Sequence, residues 1–153
     1  MSDFKFLQDY FSNLKDLISN EKYFEKLIEV KNILKKGNSN GKKIMIFGNG
    51  GSAAIASHFS VDLTKNAKIR CTNYNESDLI TCFSNDFGYE RWVEKTLEYY
   101  GDEGDNLILI SAGGNSPNMI NGAKKAKEKK ISKIITFTGN DKNNDLSKFG
   151  DIN

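Results

Sequence analysis

The sequence predicts an α/β domain with a doubly wound, mostly parallel sheet of the flavodoxin/Rossmann kind, preceded by two helices. Three observations predict it. Ile44-Met45-Ile46-Phe47, Leu107-Ile108-Leu109-Ile110 and Ile134-Ile135-Thr136-Phe137 are short, nearly unbroken apolar runs, as expected of strands covered on both faces. Helical stretches alternate with them, which places a parallel sheet between helix layers. Two of the runs pass directly into Gly/Ser-rich turns that open helices: Gly48-Asn49-Gly50-Gly51-Ser52 before 53–65, and Ser111-Ala112-Gly113-Gly114-Asn115-Ser116 before a helix reaching about 130.

The elements follow in order. Within 3–20, Phe4, Leu7, Phe11, Leu14 and Ile18 recur at spacings of three and four, and Phe6, Tyr10 and Leu17 widen the stripe. Within 21–36, Phe24, Leu27, Ile28 and Leu34 repeat the pattern until Gly37-Asn38-Ser39-Asn40-Gly41 stops it. The chain is thus one domain, with a helical segment at 1–36 and an α/β core at 43–153. Stripes this wide must pack on something, either the domain's own sheet or another subunit. After the first Gly/Ser turn and its helix, 69–72 reads as a strand. Ser77 reads as the cap of a helix through 82–84, and 88–100 as a helix with Trp92, Val93, Thr96 and Leu97 on one side. Ser116 suits an N-cap and Pro117 the first helical position. The lysines at 124, 125, 127, 129 and 130 read as a solvated helix face.

Composition bounds the rest. A chain of 153 residues, 38% hydrophobic and 27% charged, can bury a core. A net charge of +2 gives no reason to expect nucleic acid or an anionic membrane as partner. Cys71 and Cys82 make neither a disulfide framework nor a CxxC motif, and each reads as a small buried apolar residue. No apolar run has the length of a membrane span, and the charged, aromatic N-terminus is not a signal peptide, so the expected address is cytoplasmic.

A glycine-rich turn at a helix N-terminus presents backbone N–H groups and partial positive charge, and so attracts anions. Ser52, Ser111 and Ser116 add hydroxyls able to donate to phosphate oxygens. Two such turns with few cationic side chains suit a phosphomonoester on a small polar molecule. Either turn alone could equally be a tight connection with a serine cap. The first also satisfies the dinucleotide pattern G-x-G-x-x-A, with Glu76 at a distance suited to a ribose. The Walker A pattern is excluded, because no Gly-Lys-Ser/Thr follows. On the next helix His58 and Asp62, four apart, share a face. They can be half of a zinc site, or a half-buried histidine paired with a carboxylate. Asn85-Asp86 before Gly88 reads as a turn and a helix cap.

Taken together, Gly48-Asn-Gly-Gly-Ser-Ala-Ala54, His58-Phe59, Asn85-Asp-Phe-Gly-Tyr-Glu90, Gly104-Asp105, Gly114-Asn-Ser-Pro-Asn118 and Thr138-Gly139 resemble the sugar isomerase (SIS) domain family, in particular its phosphoheptose isomerase branch. The resemblance covers nearly the whole chain. It implies a homotetramer converting sedoheptulose 7-phosphate to a mannoheptose 7-phosphate for bacterial surface polysaccharide. It implies that Asn49, Gly50, Gly51, Ser52, Ser111, Ala112, Gly113 and Ser116 line the substrate site, with Asn85 and Asp86 reaching the sugar across a subunit interface. It further implies one zinc per subunit, with His58 and Asp62 among its ligands and Asp62 also the catalytic carboxylate. A non-catalytic binding module, for sugar phosphates or for a replication initiator protein, is the alternative the same family offers.

Three departures from the family pattern stand out. Position 62 is Asp where the family usually has Glu, and misplacing a catalytic group by about 1 Å can cost much rate. Ala112 and Gly113 replace hydroxyl-bearing residues of the second turn. The family continues past the point corresponding to Asn153 with a strand and a long helix that carries a Gln and a His, both zinc ligands. Asp151-Ile152-Asn153 reads as the start of that strand, so the resemblance implies an incomplete copy of a longer chain.

Overall fold

The computed structural model describes residues 2–139 and 143–153. Two helices lead, α1 (Asp3–Ile18) and α2 (Lys22–Ser39). The core then runs β1 (Ile44–Gly48), α3 (Gly51–Lys65), β2 (Cys71–Asn73), α4 (Ser77–Phe87), a 3₁₀ turn at Tyr89–Arg91, α5 (Trp92–Tyr100), β3 (Asn106–Ser111), α6 (Pro117–Glu128) and β4 (Lys133–Thr138). All four strands are parallel, in the order β2-β1-β3-β4. Ile152 makes an isolated parallel bridge to Ile135, and the Thr136 amide donates to its carbonyl at 2.9 Å.

Strand side chains alternate between faces, and the alternation sorts the core into two layers. Met45, Phe47, Leu107, Leu109 and Ile134 face Trp92, Val93 and Leu97 of α5 and Met119, Ala123 and Ala126 of α6. Ile44, Ile46, Ile108 and Ile135 face Val30 and Leu34 of α2 and Ala56 and Leu63 of α3. The strands are therefore buried on both sides, which explains their unbroken apolar runs. At the end of the sheet where β1 and β3 begin, Lys43 bonds Asp102 and the buried Asp105. Burial alone would depress the Lys43 pKa, but those two carboxylates outweigh it and hold it above the ordinary lysine value.

Several sequence expectations are corrected. The Gly37–Gly41 stretch does stop α2, but within itself rather than at its first residue: the helix runs on past Lys36 to Ser39, with Asn40 as C-cap. Gly37 lies where any Cβ would run into the Asn106 carboxamide, so this glycine permits close approach to the start of β3. The strand expected at 69–72 lies at Cys71–Asn73. Ser77 is the first residue of α4, and Glu76 is its N-cap. Asn85 and Asp86 are not a turn or cap: they lie in the last turn of α4, which Gly88 ends at φ 87°. Cys71 is buried, and burial pushes its thiol up to about 12, whereas Cys82 is exposed. The apolar stripe of α1 is not covered by the described residues, and no residue of α1 is buried. Among the described residues no helix is long and apolar enough to cross a membrane.

Candidate functional site

Because β2 lies on one side of β1 and β3 on the other, the chain reverses its winding between β1 and β3. Parallel α/β sheets bind ligands in the crevice at such a switch point, outside the carboxyl ends of the strands. Both Gly/Ser turns emerge there, since Gly48 and Ile110 are partners in the β1–β3 register.

The first turn is shaped by its backbone. The Ser52 amide donates to the Asn49 carbonyl at 3.0 Å, closing a tight turn, with Gly50 at φ 54°, ψ −122°. Residues with a Cβ rarely adopt that conformation, so glycine is required there. Gly50 is also the N-cap of α3. Gly50 and Gly51 are exposed and Ser52 is half-buried, so the positive end of the helix is open to an anion.

The second turn folds over its own serines. The Gly114 amide donates to the Ser111 carbonyl at 3.1 Å and to the Ser111 hydroxyl at 3.2 Å. The Ser111 and Ser116 hydroxyls lie 3.3 Å apart. Ser116 is the N-cap of α6 and Pro117 follows at its first position, as the sequence predicts, but the Ser116 side chain makes no capping bond. Its hydroxyl is thus left to Ser111 or to a ligand. Ala112 and Gly113 are exposed, and the Ala112 carbonyl accepts from the Gly139 amide at 3.0 Å, tying the turn to the end of β4.

The turns are cross-braced through Asn49, expected to line the substrate site, by Asn118 and Tyr89, to which sequence reasoning assigned no role. Asn49 and Asn118 form a reciprocal amide pair, Asn49 Nδ2 donating to Asn118 Oδ1 at 3.0 Å and Asn118 Nδ2 to Asn49 Oδ1 at 2.9 Å. The Tyr89 hydroxyl donates to the same Asn49 oxygen at 3.1 Å. Periodicity could not have flagged these residues. A polar side chain beside Pro117 reads as a helix start, and its partner is 69 positions away.

His58 and Asp62 lie six and ten residues beyond Ser52 on α3, about 9 and 15 Å along the helix axis. Their nearest atoms, Nε2 and Oδ2, are 3.6 Å apart. The histidine is not half-buried: its imidazole is 81% exposed, while the Asp62 carboxylate is 49% exposed, on a helix face that also exposes Ile55 and Val61. Asp62 additionally accepts from Asn66 at 3.0 Å. Among the described residues no cluster of three or more His, Cys, Asp or Glu could hold a metal. His58 and Asp62 are therefore two donors of a set that the described residues do not complete, and structural and catalytic zinc sites need at least three protein ligands. Asn85 and Asp86 are exposed and bonded to each other at 2.9 Å, and none of the hydrogen bonds among the described residues joins them to either turn.

Comparison with known proteins agrees with this geometry. The profile described as "SIS domain" matches residues 9–139. The chain is 34% identical over 132 residues to a phosphoheptose isomerase of Buchnera aphidicola, covering 83% of this chain and 68% of the relative. A phosphoheptose isomerase of Glaesserella parasuis is 36% identical over 140 residues, 88% of this chain and 72% of the relative. Among solved structures, the phosphoheptose isomerase GmhA of Neisseria gonorrhoeae superposes with a TM-score of 0.83 at 28% identity, over 97% of this chain and 79% of that one. A phosphoheptose isomerase from Francisella tularensis shares the fold, with a TM-score of 0.87 at 22% identity over 99% and 82% of the two chains.

Proposed function

Because this chain belongs to the SIS domain family, we propose that it is a phosphoheptose isomerase, interconverting sedoheptulose 7-phosphate and a mannoheptose 7-phosphate. The observation that carries the reading is the meeting of two serine-bearing helix N-termini at the sheet's switch point. Together they offer backbone amides, hydroxyls and two helix dipoles to one phosphate. The phosphosugar relatives support the substrate class.

In this reading the substrate phosphate lies against Asn49–Ser52 and Ser111–Ser116, and the sugar extends towards the outward face of α3. Isomerisation moves a proton from C1 of the ketose to C2, through an enediol, while the hydroxyl proton on O1 shifts to O2. Asp62 is the base that takes the C1 proton and returns it to C2. Asn85 and Asp86 serve the sugar from a neighbouring copy. The resemblance adds a zinc held partly by His58 and Asp62. The described residues supply only those two donors, so the proton transfers above are assigned without the metal. The site belongs to a cytoplasmic enzyme supplying heptose for bacterial surface polysaccharide.

The exposed stripe of α1 supports assembly of identical copies, with a tetramer as the expected state. Phe4, Phe6, Phe11 and Ile18 are each more than half exposed, far more apolar surface than a free helix normally presents. A binding module without turnover is the second reading, and the exposure of Asp62 together with its short donor set favours it. A coupled assay for heptose 7-phosphate formation, with zinc supplied, separates the two. Turnover lost in Asp62→Asn supports the isomerase. Binding of sedoheptulose 7-phosphate with no turnover makes the chain a sensor, and neither binding nor turnover overturns both readings.

A further inference from the structure

We propose that Asn118 and Tyr89 are positioning residues that hold the Asn49 carboxamide so that it meets the bound sugar phosphate as a hydrogen-bond donor only. The inference rests on the phosphosugar reading of the two turns. It starts from the hydrogen-bonding capacity of Asn49. A carboxamide has two acceptor lone pairs and two N–H donors. Asn118 Nδ2 and the Tyr89 hydroxyl both donate to Asn49 Oδ1, at 2.9 and 3.1 Å, which uses both lone pairs. One Asn49 N–H is spent on Asn118 Oδ1 at 3.0 Å. A single N–H remains, on a half-buried side chain between Gly48 and Gly50, in the turn that opens α3.

The brace has a directional consequence. Asn118 is 1% exposed and is the second residue of α6, the helix that follows the other turn. The amide pair therefore fixes one turn to the helix of its neighbour, across the switch point. A reciprocal pair of amide bonds also fixes the plane of the Asn49 carboxamide, which a single bond does not. Tyr89 reaches in from the 3₁₀ turn beyond α4, a segment held independently by the Asn121 side chain donating to the Glu90 carbonyl at 3.0 Å. Removing only the Tyr89 hydroxyl thus leaves that turn tied down while freeing one lone pair of Asn49. A free lone pair lets the carboxamide rotate or admit water, and its remaining N–H loses its aim.

The test uses the full chain, titrated calorimetrically with sedoheptulose 7-phosphate, beside the NMR signals of the Asn49 side-chain NH₂ group. Tyr89→Phe is expected to weaken binding about threefold to tenfold, the worth of one hydrogen bond, with Tm changed by no more than about 2 °C. Asn118→Leu is expected to weaken it more than about tenfold. Asn49→Asp, which can accept but not donate, is expected to weaken it at least as much. In both Tyr89→Phe and Asn118→Leu the two Asn49 NH₂ proton signals should move and exchange faster with water, a change that loss of bulk stability elsewhere does not produce. Wild-type affinity in Tyr89→Phe, or in Asn49→Asp, overturns the proposal, and Tyr89→Phe decides it if Asn118→Leu fails to fold. Absence of binding by the unaltered chain overturns the phosphosugar reading instead, and in that case unmoved Asn49 signals in Tyr89→Phe overturn the brace as well.

Discussion

The turn end of the sheet and the outward face of α3 are built in opposite ways. At the turns the side chains are held by one another and by other elements: Asn49 by Asn118 and Tyr89, Ser111 by Gly114 and Ser116 of its own turn, and the Ala112 carbonyl by Gly139. On α3, His58 and Asp62 pair, among the described residues, with each other and with Asn66 of the same helical stretch, the histidine exposed and the carboxylate half-buried. The difference teaches that one chain pre-organises the anchoring of a ligand but not the surroundings of its proposed base. Among the described residues the side-chain neighbours of Asp62 are His58 and Asn66, both from the same helical stretch. We propose that identical copies cover α1 and the outer face of α3.

Asp62→Asn should show the largest effect. Turnover should fall about 10²–10⁴-fold, the usual worth of a general base. Stability should move by less than about 0.5 kcal/mol, as for an exposed substitution, and affinity for sedoheptulose 7-phosphate should persist. Paired turnover, calorimetric and thermal-melt measurements check this, and lost affinity would erase the division between the two regions.

Gly50→Ala should do the reverse. Placing a Cβ at φ 54°, ψ −122° costs about 1–3 kcal/mol and reshapes the turn, so affinity should drop at least about tenfold. The rate of any substrate that still binds should change less. Affinity equal to that of the unaltered chain would mean that the first turn is only a connection.

Ser111→Ala sharpens the comparison further. It removes a hydroxyl that accepts from Gly114 and neighbours Ser116, a loss of about 1 kcal/mol in stability and a fewfold in affinity. Thermal melts with and without ligand separate the two.

The smallest effect lies at the opposite end of the strands. Lys43 has a raised pKa, so its contribution is full below the unfolded value of about 10.5 and is lost as pH rises through the folded one. Asp102, bonded to Lys43, has a lowered pKa, so its contribution is present above about 3.8 and is lost as pH falls through the folded one. A plot of Tm against pH should fall at both limits, and Lys43→Met should flatten both falls without changing sugar phosphate affinity at neutral pH.

Much of this was legible in the sequence because the strands carry their own signature. Ile44 to Phe47 is buried to the last residue and reads as an unbroken run. The turns were legible through glycines and serines at strand ends. Boundaries depending on contact between distant segments were not. Gly37 lies inside α2 as an approach point for Asn106, and Gly88 both ends α4 and caps the 3₁₀ turn that leads into α5. Asn118 and Tyr89 stood in the motifs that carry the resemblance, but their brace on Asn49 was not legible, because the partner is brought near only by the folded sheet and its helices.

The most direct test of the central claim is an NMR titration of the ¹⁵N-labelled chain with sedoheptulose 7-phosphate. The predicted result is saturable shifts concentrated in the backbone amides of 49–53 and 111–117, on both sides of the switch point. Saturable shifts confined to one turn, shifts centred elsewhere, or none at millimolar ligand would contradict it.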